Sequence, residues 1–303
     1  LLDRELEWDP IARGGFNSHL SMSLVAARRL GATDAELRTM FDEQTSDGFL
    51  VRRDTPEWLA SDVAEIERLG IDAVVRRELP TLLDAPLAQF FHAVIRLELA
   101  IDAGHPGQVA NALHHLREHS HPLPDPPTGD GGESFAAVVA ALRAHPDRRA
   151  GSMNRIRSVA GEPWFRDTLA RLRADDALLD DVASSVVGAH VQAGDFTSLH
   201  LVTGTRAVRA LTEHLSPDDR RRLALRAAQA VAVVDTVLLD VEPDGRHAPT
   251  ASSSRSWEEI GRAAIDTHDP HVVKLAYAAR LEEAATADPR YRFVAAREAG
   301  LER

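Results

Sequence analysis

The chain has 303 residues, 44% of them hydrophobic and 27% charged, the proportions of a globular protein with a large core. A formal charge of -12 argues against nucleic acid as a partner, because phosphate binding rests on clustered Lys and Arg. There is no cysteine, which excludes disulfides, thiolate catalysis and Cys-based zinc or iron-sulfur sites, and no apolar run approaches the roughly 20 residues that span a membrane.

The start, Leu1-Leu2-Asp3-Arg4-Glu5, is acidic and has no signal-peptide core, which makes the cytoplasm the expected compartment. It also lacks a first methionine, so residues before Leu1 are expected. Apolar residues then recur at three and four along almost the whole chain, the period of helices. A first helix is expected after Asn17-Ser18 as cap, ending at Gly31. Thr55-Pro56-Glu57-Trp58 starts another, with Thr55 as cap and Pro56 at the first helical position. A longer one carries Phe90-Phe91-His92-Ala93-Val94-Ile95-Arg96 and runs to Ala103-Gly104, and Pro106 opens the next through Leu116. The stretch from His121 to Gly132 is rich in proline and glycine and is expected to be a loop. Helices resume at Phe135 to Arg143, Glu162 to Ala174 and Asp180 to Ala193. Asp195 caps a helix to Leu215, and Ser216-Pro217 opens one to about Leu239. A second loop spans Val241 to Ser254, followed by helices at Trp257 to Asp266 and Pro270 to Ala287. The expected fold is all-α, one large multi-helix domain over residues 1–303 with two long loops, and no repeat period suggests a solenoid.

The sequence lacks the Rossmann glycine fingerprint, the P-loop, the nucleophile elbow and H-E-x-x-H, so difficult redox chemistry would need a metal. His271 and Lys274 lie three apart at the start of an apolar helix, on one face. His19, His92 and His200 also sit in apolar helical runs, where an imidazole without a partner is costly to bury. Imidazoles from several helices are a usual way for a helical core to hold a transition metal, although a hydrogen-bonded core role is the simpler reading of any one histidine. Of the 14 histidines, His114, His115, His119 and His121 crowd a polar helix end, and His105, His145, His214 and His247 stand near turns or polar faces, where exposure is expected. His190, on an apolar helix, and His268 are harder to dismiss.

The short words around these histidines carry more. Ser18-His19-Leu20-Ser21-Met22 resembles the Asn-His-x-Pro-Met word of questin oxidase-like proteins, with serine for asparagine and for proline. Phe91-His92-Ala93-Val94-Ile95-Arg96, then His200-Leu201-Val202-Thr203-Gly204 with Ala207 and Arg209, then Trp257 with Asp269-Pro270-His271-Val272-Val273-Lys274, follow in the order of that family. The resemblance implies an all-helical oxygenase that inserts oxygen beside a ring carbonyl of an anthraquinone-like or other polycyclic aromatic polyketide, in the Baeyer-Villiger manner, and opens the ring. It implies mononuclear non-heme Fe(II) held by His19, His92, His200, His271 and a carboxylated Lys274, with O2 as cosubstrate and an external reductant such as NADPH, for which no binding motif is present.

A lysine ammonium has no acceptor, so Lys274 can ligate only as the neutral amine or as a carbamate. Arg96, four residues after His92, can balance phenolate charge on substrate, hold a carboxylate near the metal, or form a structural ion pair. Phe90, Phe91, Phe196, Trp257 and Tyr277 are candidates to stack on a flat substrate or plain core residues; Thr203 is, with Arg96, a candidate catalytic residue, and the small residue of Thr203-Gly204 is one to admit substrate or a neighbouring helix. Two other readings use the same residues: a metal-dependent hydrolase, and a noncatalytic helical binding protein that retains the fold.

Overall fold

A computed structural model describes residues 1–120, 122–240 and 251–302. The expected all-α class is what it shows. The helices are α1 (Leu2–Glu5), α2 (Leu20–Leu30), α3 (Asp34–Ser46), α4 (Glu57–Leu69), α5 (Ile71–Glu78), α6 (His92–Asp102), α7 (Pro106–Glu118) and α8 (Phe135–Arg143). They continue with α9 (Ile156–Gly161), α10 (Pro163–Leu169), α11 (Leu178–Ala193), α12 (Phe196–Thr212), α13 (Pro217–Leu238), α14 (Trp257–Asp266), α15 (Pro270–Thr286) and α16 (Arg290–Glu298). Among the described residues β-pairing is limited to isolated bridges such as Ile11 with Asn17, and no helix is long and apolar enough to cross a membrane.

Local chemistry sets where many helices begin. Thr33 and Glu36 close a capping box on α3, as do Asp195 and Ser198 on α12 and Ser256 and Glu259 on α14. Each satisfies backbone N–H groups that the first turn leaves without partners, and a cap is worth about 1 kcal/mol. Gly31 ends α2 in the left-handed conformation with φ of 101°.

Four helices frame the interior. α2 packs on α6 and α15, and α12 closes the ring against the same two. Their N-terminal ends converge, because the rings of His19 before α2, His92 opening α6, His200 early in α12 and His271 in α15 lie against one another. Leu20, Leu97, Leu201 and Leu275, each fully buried, fill the space behind that end within one continuous apolar cluster. The remaining helices wrap this ring, with α7 on α6 and α11 on α12.

Several boundaries differ from expectation for physical reasons. Asn17-Ser18 does not cap α2; His19 holds the cap position with no side-chain cap bond, which leaves its imidazole free to face the interior. Pro56 stands at the cap of α4 rather than inside it. Phe90 and Phe91 are not helical, since Gln89, Phe90 and Phe91 have φ of 51°, 57° and 66°. The helix expected from Glu162 to Ala174 stops at Leu169, where the chain turns to make bridges from Leu172 to Glu133 and from Arg173 to Asp130. α12 ends at Thr212, not Leu215. The loop expected from His121 to Gly132 is irregular over 122–132, whereas His121 and, in the second loop, residues 241–250 lie outside the described residues.

Candidate metal centre

His19 is placed by what surrounds its backbone. The buried guanidinium of Arg96 donates to the Ser18 carbonyl at 2.6 Å and to Ser21 Oγ at 2.9 Å, and lies 3.5 Å from Glu5, itself bonded by Gln108 at 2.8 Å. Of the roles open to Arg96, the structure places it in this ion-pair network, which clamps both sides of His19. His92 opens α6 directly after the left-handed turn. His271 follows the Asp269 cap, whose carboxylate accepts from the His271 N–H at 2.8 Å, and Lys274 lies one turn further along α15.

The four imidazoles meet, and Lys274 lies near enough for its charge to act on three of them. His19 Nε2 is 2.8 Å from His92 Nε2, which is 3.1 Å from His200 Nε2. The His271 ring meets His19 edge-on, with centroids 4.3 Å apart. His92 Nδ1 is 2.7 Å from the Gln89 carbonyl and His200 Nδ1 is 2.7 Å from the Phe196 carbonyl. A carbonyl only accepts, so both rings carry their proton on Nδ1 and present a lone pair at Nε2. Burial, reinforced by the charge of Lys274, pushes His19, His92 and His200 well below the usual imidazole pKa, which keeps the rings neutral. His92 and His200 therefore face each other with two lone pairs and no proton between them. A shared cation resolves that conflict: two imidazoles bound side by side to one metal, with metal–nitrogen bonds of about 2.1 Å, have nitrogens roughly 3 Å apart.

Two further buried atoms point the same way. His271 Nε2 and Lys274 Nζ have no hydrogen-bond partner, while His271 Nδ1 is held 3.2 Å from Asp269. Burial, with the charge of Arg96 adding to it, lowers the Lys274 amine to a pKa of about 7. The donor set of imidazole lone pairs and a lysine able to lose its proton fits a transition metal.

One signal was present in the sequence and overlooked. The chain has 35 Lys and Arg residues, and Lys274 is its only lysine. Arginine cannot lose its proton in a protein, whereas a buried lysine can, and the one lysine stands where a neutral amine has a use.

Below the histidines the bundle holds a second polar layer. Glu98, Thr203, Arg206, Tyr277 and Lys274 line a small enclosed cavity. Burial raises the Glu98 carboxyl to about 7 despite Arg206 at 4.0 Å. Thr203 donates to the Leu199 carbonyl at 3.2 Å, so it belongs to this inner layer and not to the opening. Gly204 does not line the opening; of the two roles open to it, it admits the neighbouring helix, for a Cβ there would lie 2.5 Å from the ring of Phe91, the residue at the cap of α6.

On the other side a cavity of about 1020 Å3 opens from His19, His92 and His271 to solvent. Phe90 and Phe196 line it with parallel rings, centroids 6.4 Å apart, and Phe196 also meets His271 at 5.1 Å. Phe16, Phe49 and Met153, which sequence reasoning did not single out, make its mouth apolar, and all three are exposed. Asn17, Gln44 and Gln89 supply the neutral polar groups. At the rim, His268 Nδ1 pairs with Glu43 at 2.7 Å. The other three aromatic candidates lie elsewhere. Phe91 is core, the Trp257 indole donates to Glu283 at 2.7 Å, and the Tyr277 hydroxyl donates to Asp102 at 3.0 Å.

Several of the other described histidines have local explanations. His115 is buried, contrary to expectation, because its face of α7 packs inward. His105 is a helix cap accepting from Gln108 N–H at 3.2 Å, His114 stacks on Trp58, and His145 stacks on Trp164. His190 is fully buried and bonded to Ser198 Oγ at 2.7 Å. His247 lies outside the described residues.

An all-helical fold whose central bundle gathers four imidazoles and a lysine at one end defines a candidate metalloprotein. A family model described as questin oxidase-like matches residues 63–279, more than two thirds of the chain, and the protein belongs to that family. The match contains His92, His200, His271 and Lys274, and the fold adds His19 from outside it. Membership implies oxidoreductase activity, of the oxygenase kind found in aromatic polyketide metabolism. A search of the curated proteins found no match.

Proposed function

We propose that the protein is a non-heme iron oxygenase that inserts an oxygen atom beside a ring carbonyl of an anthraquinone-like or other polycyclic aromatic polyketide and opens that ring. The observation that carries the reading is the pair of facing Nε2 lone pairs on His92 and His200, joined by the partnerless nitrogens of His271 and Lys274. His19, His92, His200, His271 and Lys274 would hold the metal, Lys274 as neutral amine or, after its nitrogen bonds the carbon of CO2 and releases a proton, as the carbamate. Bound Fe(II) supplies the one-electron chemistry through which dioxygen reacts with a closed-shell aromatic.

The chain's own residues do the rest. Phe90 and Phe196 present flat apolar faces to a planar substrate beside His271, and Phe16, Phe49 and Met153 exclude water around it. Asn17 and Gln89, whose side chains lie 3.4 Å apart, offer amide groups to ring hydroxyl or carbonyl oxygens. One atom of O2 enters the product as the ring oxygen of a lactone and the other leaves as water, with two electrons and two protons from an external reductant such as NADPH and solvent; water added across the lactone ester then opens the ring.

The test uses protein purified without oxygen. It is expected to hold about one iron per chain and, given a hydroxyanthraquinone, reductant and 18O2, to consume oxygen and place one 18O in a ring-opened product. Stoichiometric zinc with no oxygen uptake would overturn the reading. Because Lys274 is the only lysine, 13CO2 should give a single carbamyl-lysine carbon signal, which Lys274→Met removes.

A further inference from the structure

Residues 89–91 form one turn of left-handed backbone in a place where no glycine occurs. Left-handed sterics disfavour each of these residues, so the turn persists only if its surroundings hold it. What it does for the site is specific. The Gln89 carbonyl accepts from the His92 backbone N–H at 3.2 Å and also from His92 Nδ1 at 2.7 Å. One carbonyl, aimed by the left-handed turn, thereby fixes the tautomer and the rotation of the His92 ring.

The holding contact comes from α12. Phe91 is fully buried, and its ring lies against the bare Cα of Gly204. A Cβ at position 204 would fall 2.5, 2.6 and 2.7 Å from Phe91 Cγ, Cδ1 and Cβ. These atoms are close to the main chain, so no rotamer change relieves the clash; the backbone of the turn must move. Gly204 is also four residues after His200, on the same face of α12, and His200 Nε2 is 3.1 Å from His92 Nε2. The contact between Gly204 and Phe91 lies one turn from the meeting of the two histidines and joins the same two elements.

We infer that Gly204 and Phe91 are an interlock of positioning residues: the missing side chain at 204 seats Phe91, which holds the left-handed turn that aims His92 at its partners. This rests on the metal reading above for its purpose, but not for its structural claim. Gly204→Ala expels Phe91, moves the Gln89 carbonyl away from His92 Nδ1 and separates His92 from His200.

Two readouts on the full chain test it. In metal-free protein, the ring 15N signals lost in His92→Asn identify His92, and they should report a fixed Nδ1–H tautomer that becomes mixed in Gly204→Ala. Co(II) titration of the same samples should show affinity weakened about 10- to 100-fold, the usual effect of disturbing what orients a ligand. Phe91→Ala, which removes the ring without crowding, should weaken Co(II) binding similarly and keeps the test available if Gly204→Ala does not fold. Adding Gly204→Ala to Phe91→Ala should then cost little more, since the clash has no ring to act on. Val187→Ala, a core truncation on α11, should lower stability without changing either readout. An unchanged His92 tautomer with Co(II) affinity at the wild-type level in Phe91→Ala or Gly204→Ala would overturn the interlock. Wild-type protein that takes up no metal, with the tautomer change still seen in Gly204→Ala, would instead overturn the metal reading and leave the interlock standing.

Discussion

Two buried polar groups in this molecule differ in what they lack. Arg143 and Asp235, on α8 and α13, form a bidentate pair at 2.7 and 2.6 Å with both side chains almost fully buried. The group of His19, His92, His200, His271 and Lys274 is buried just as deeply at its centre, yet it has facing lone pairs and two nitrogens with no partner. A polar group that completes itself is structure. One that remains incomplete in a dry interior costs stability until a ligand arrives; single partnerless atoms occur elsewhere, as at His115 Nε2 and Gln229 Oε1, and it is their coincidence with facing lone pairs that marks the site.

The contrast can be broken by mutation. The largest effect is expected for His92→Ala, which removes the nitrogen nearest both His19 and His200; oxygen uptake and iron binding should fall by at least about a thousandfold, measured by oxygen electrode and metal analysis, while the thermal midpoint of the metal-free protein changes little or rises. Asp235→Ala should do the reverse. It takes the bidentate carboxylate from a buried guanidinium and should lower unfolding free energy by about 3–5 kcal/mol in denaturant titrations, with iron content per folded molecule unchanged.

A smaller effect separates the two groups by pH. Lys274 has a folded pKa of about 7 against 10.5 for an ordinary lysine, so between these values the unfolded chain holds a proton that the folded chain lacks. Stability of metal-free protein should therefore rise as pH increases from about 7.5 to 9.5, with a slope approaching about 1.4 kcal/mol per pH unit from this residue. In Lys274→Met that contribution to the slope should vanish, as read by urea midpoints across the window. The smallest effect is expected at Thr203, whose hydroxyl is bonded to the Leu199 carbonyl on the inner side of the site. Thr203→Val should change kcat/KM by less than about threefold, and a larger loss would mean that the inner layer takes part in the chemistry.

Helices were legible because their caps and apolar spacing are local. Ser256 and Glu259, or Ser216 before Pro217, announce a helix start within four residues. The pairing of His271 with Lys274 was legible for the same reason, since three residues of one helix fix a face. What local sequence did not carry was the meeting of His19, His92 and His200, separated by 73 and 108 residues. Only the order of short family words suggested it. The left-handed turn was misread as helix because Phe90 and Phe91 continue the apolar spacing of α6, and what forces the turn is packing against Gly204, more than a hundred residues away. The apolar mouth was missed likewise, for Phe16, Phe49 and Met153 belong to three separate segments. His115 shows the converse error: a polar neighbourhood in sequence, but an inward face in the fold.

The central claim is that five side chains from four helices hold one metal ion. An anomalous difference map from crystals of anaerobically iron-loaded protein, recorded at the iron edge, tests it most directly. The account predicts one peak per chain, within about 2.0–2.4 Å of Nε2 of His19, His92, His200 and His271 and of either Lys274 Nζ or a carbamate oxygen carried by it. A map with no peak there, and with the imidazoles joined to one another through ring protons instead, would contradict it.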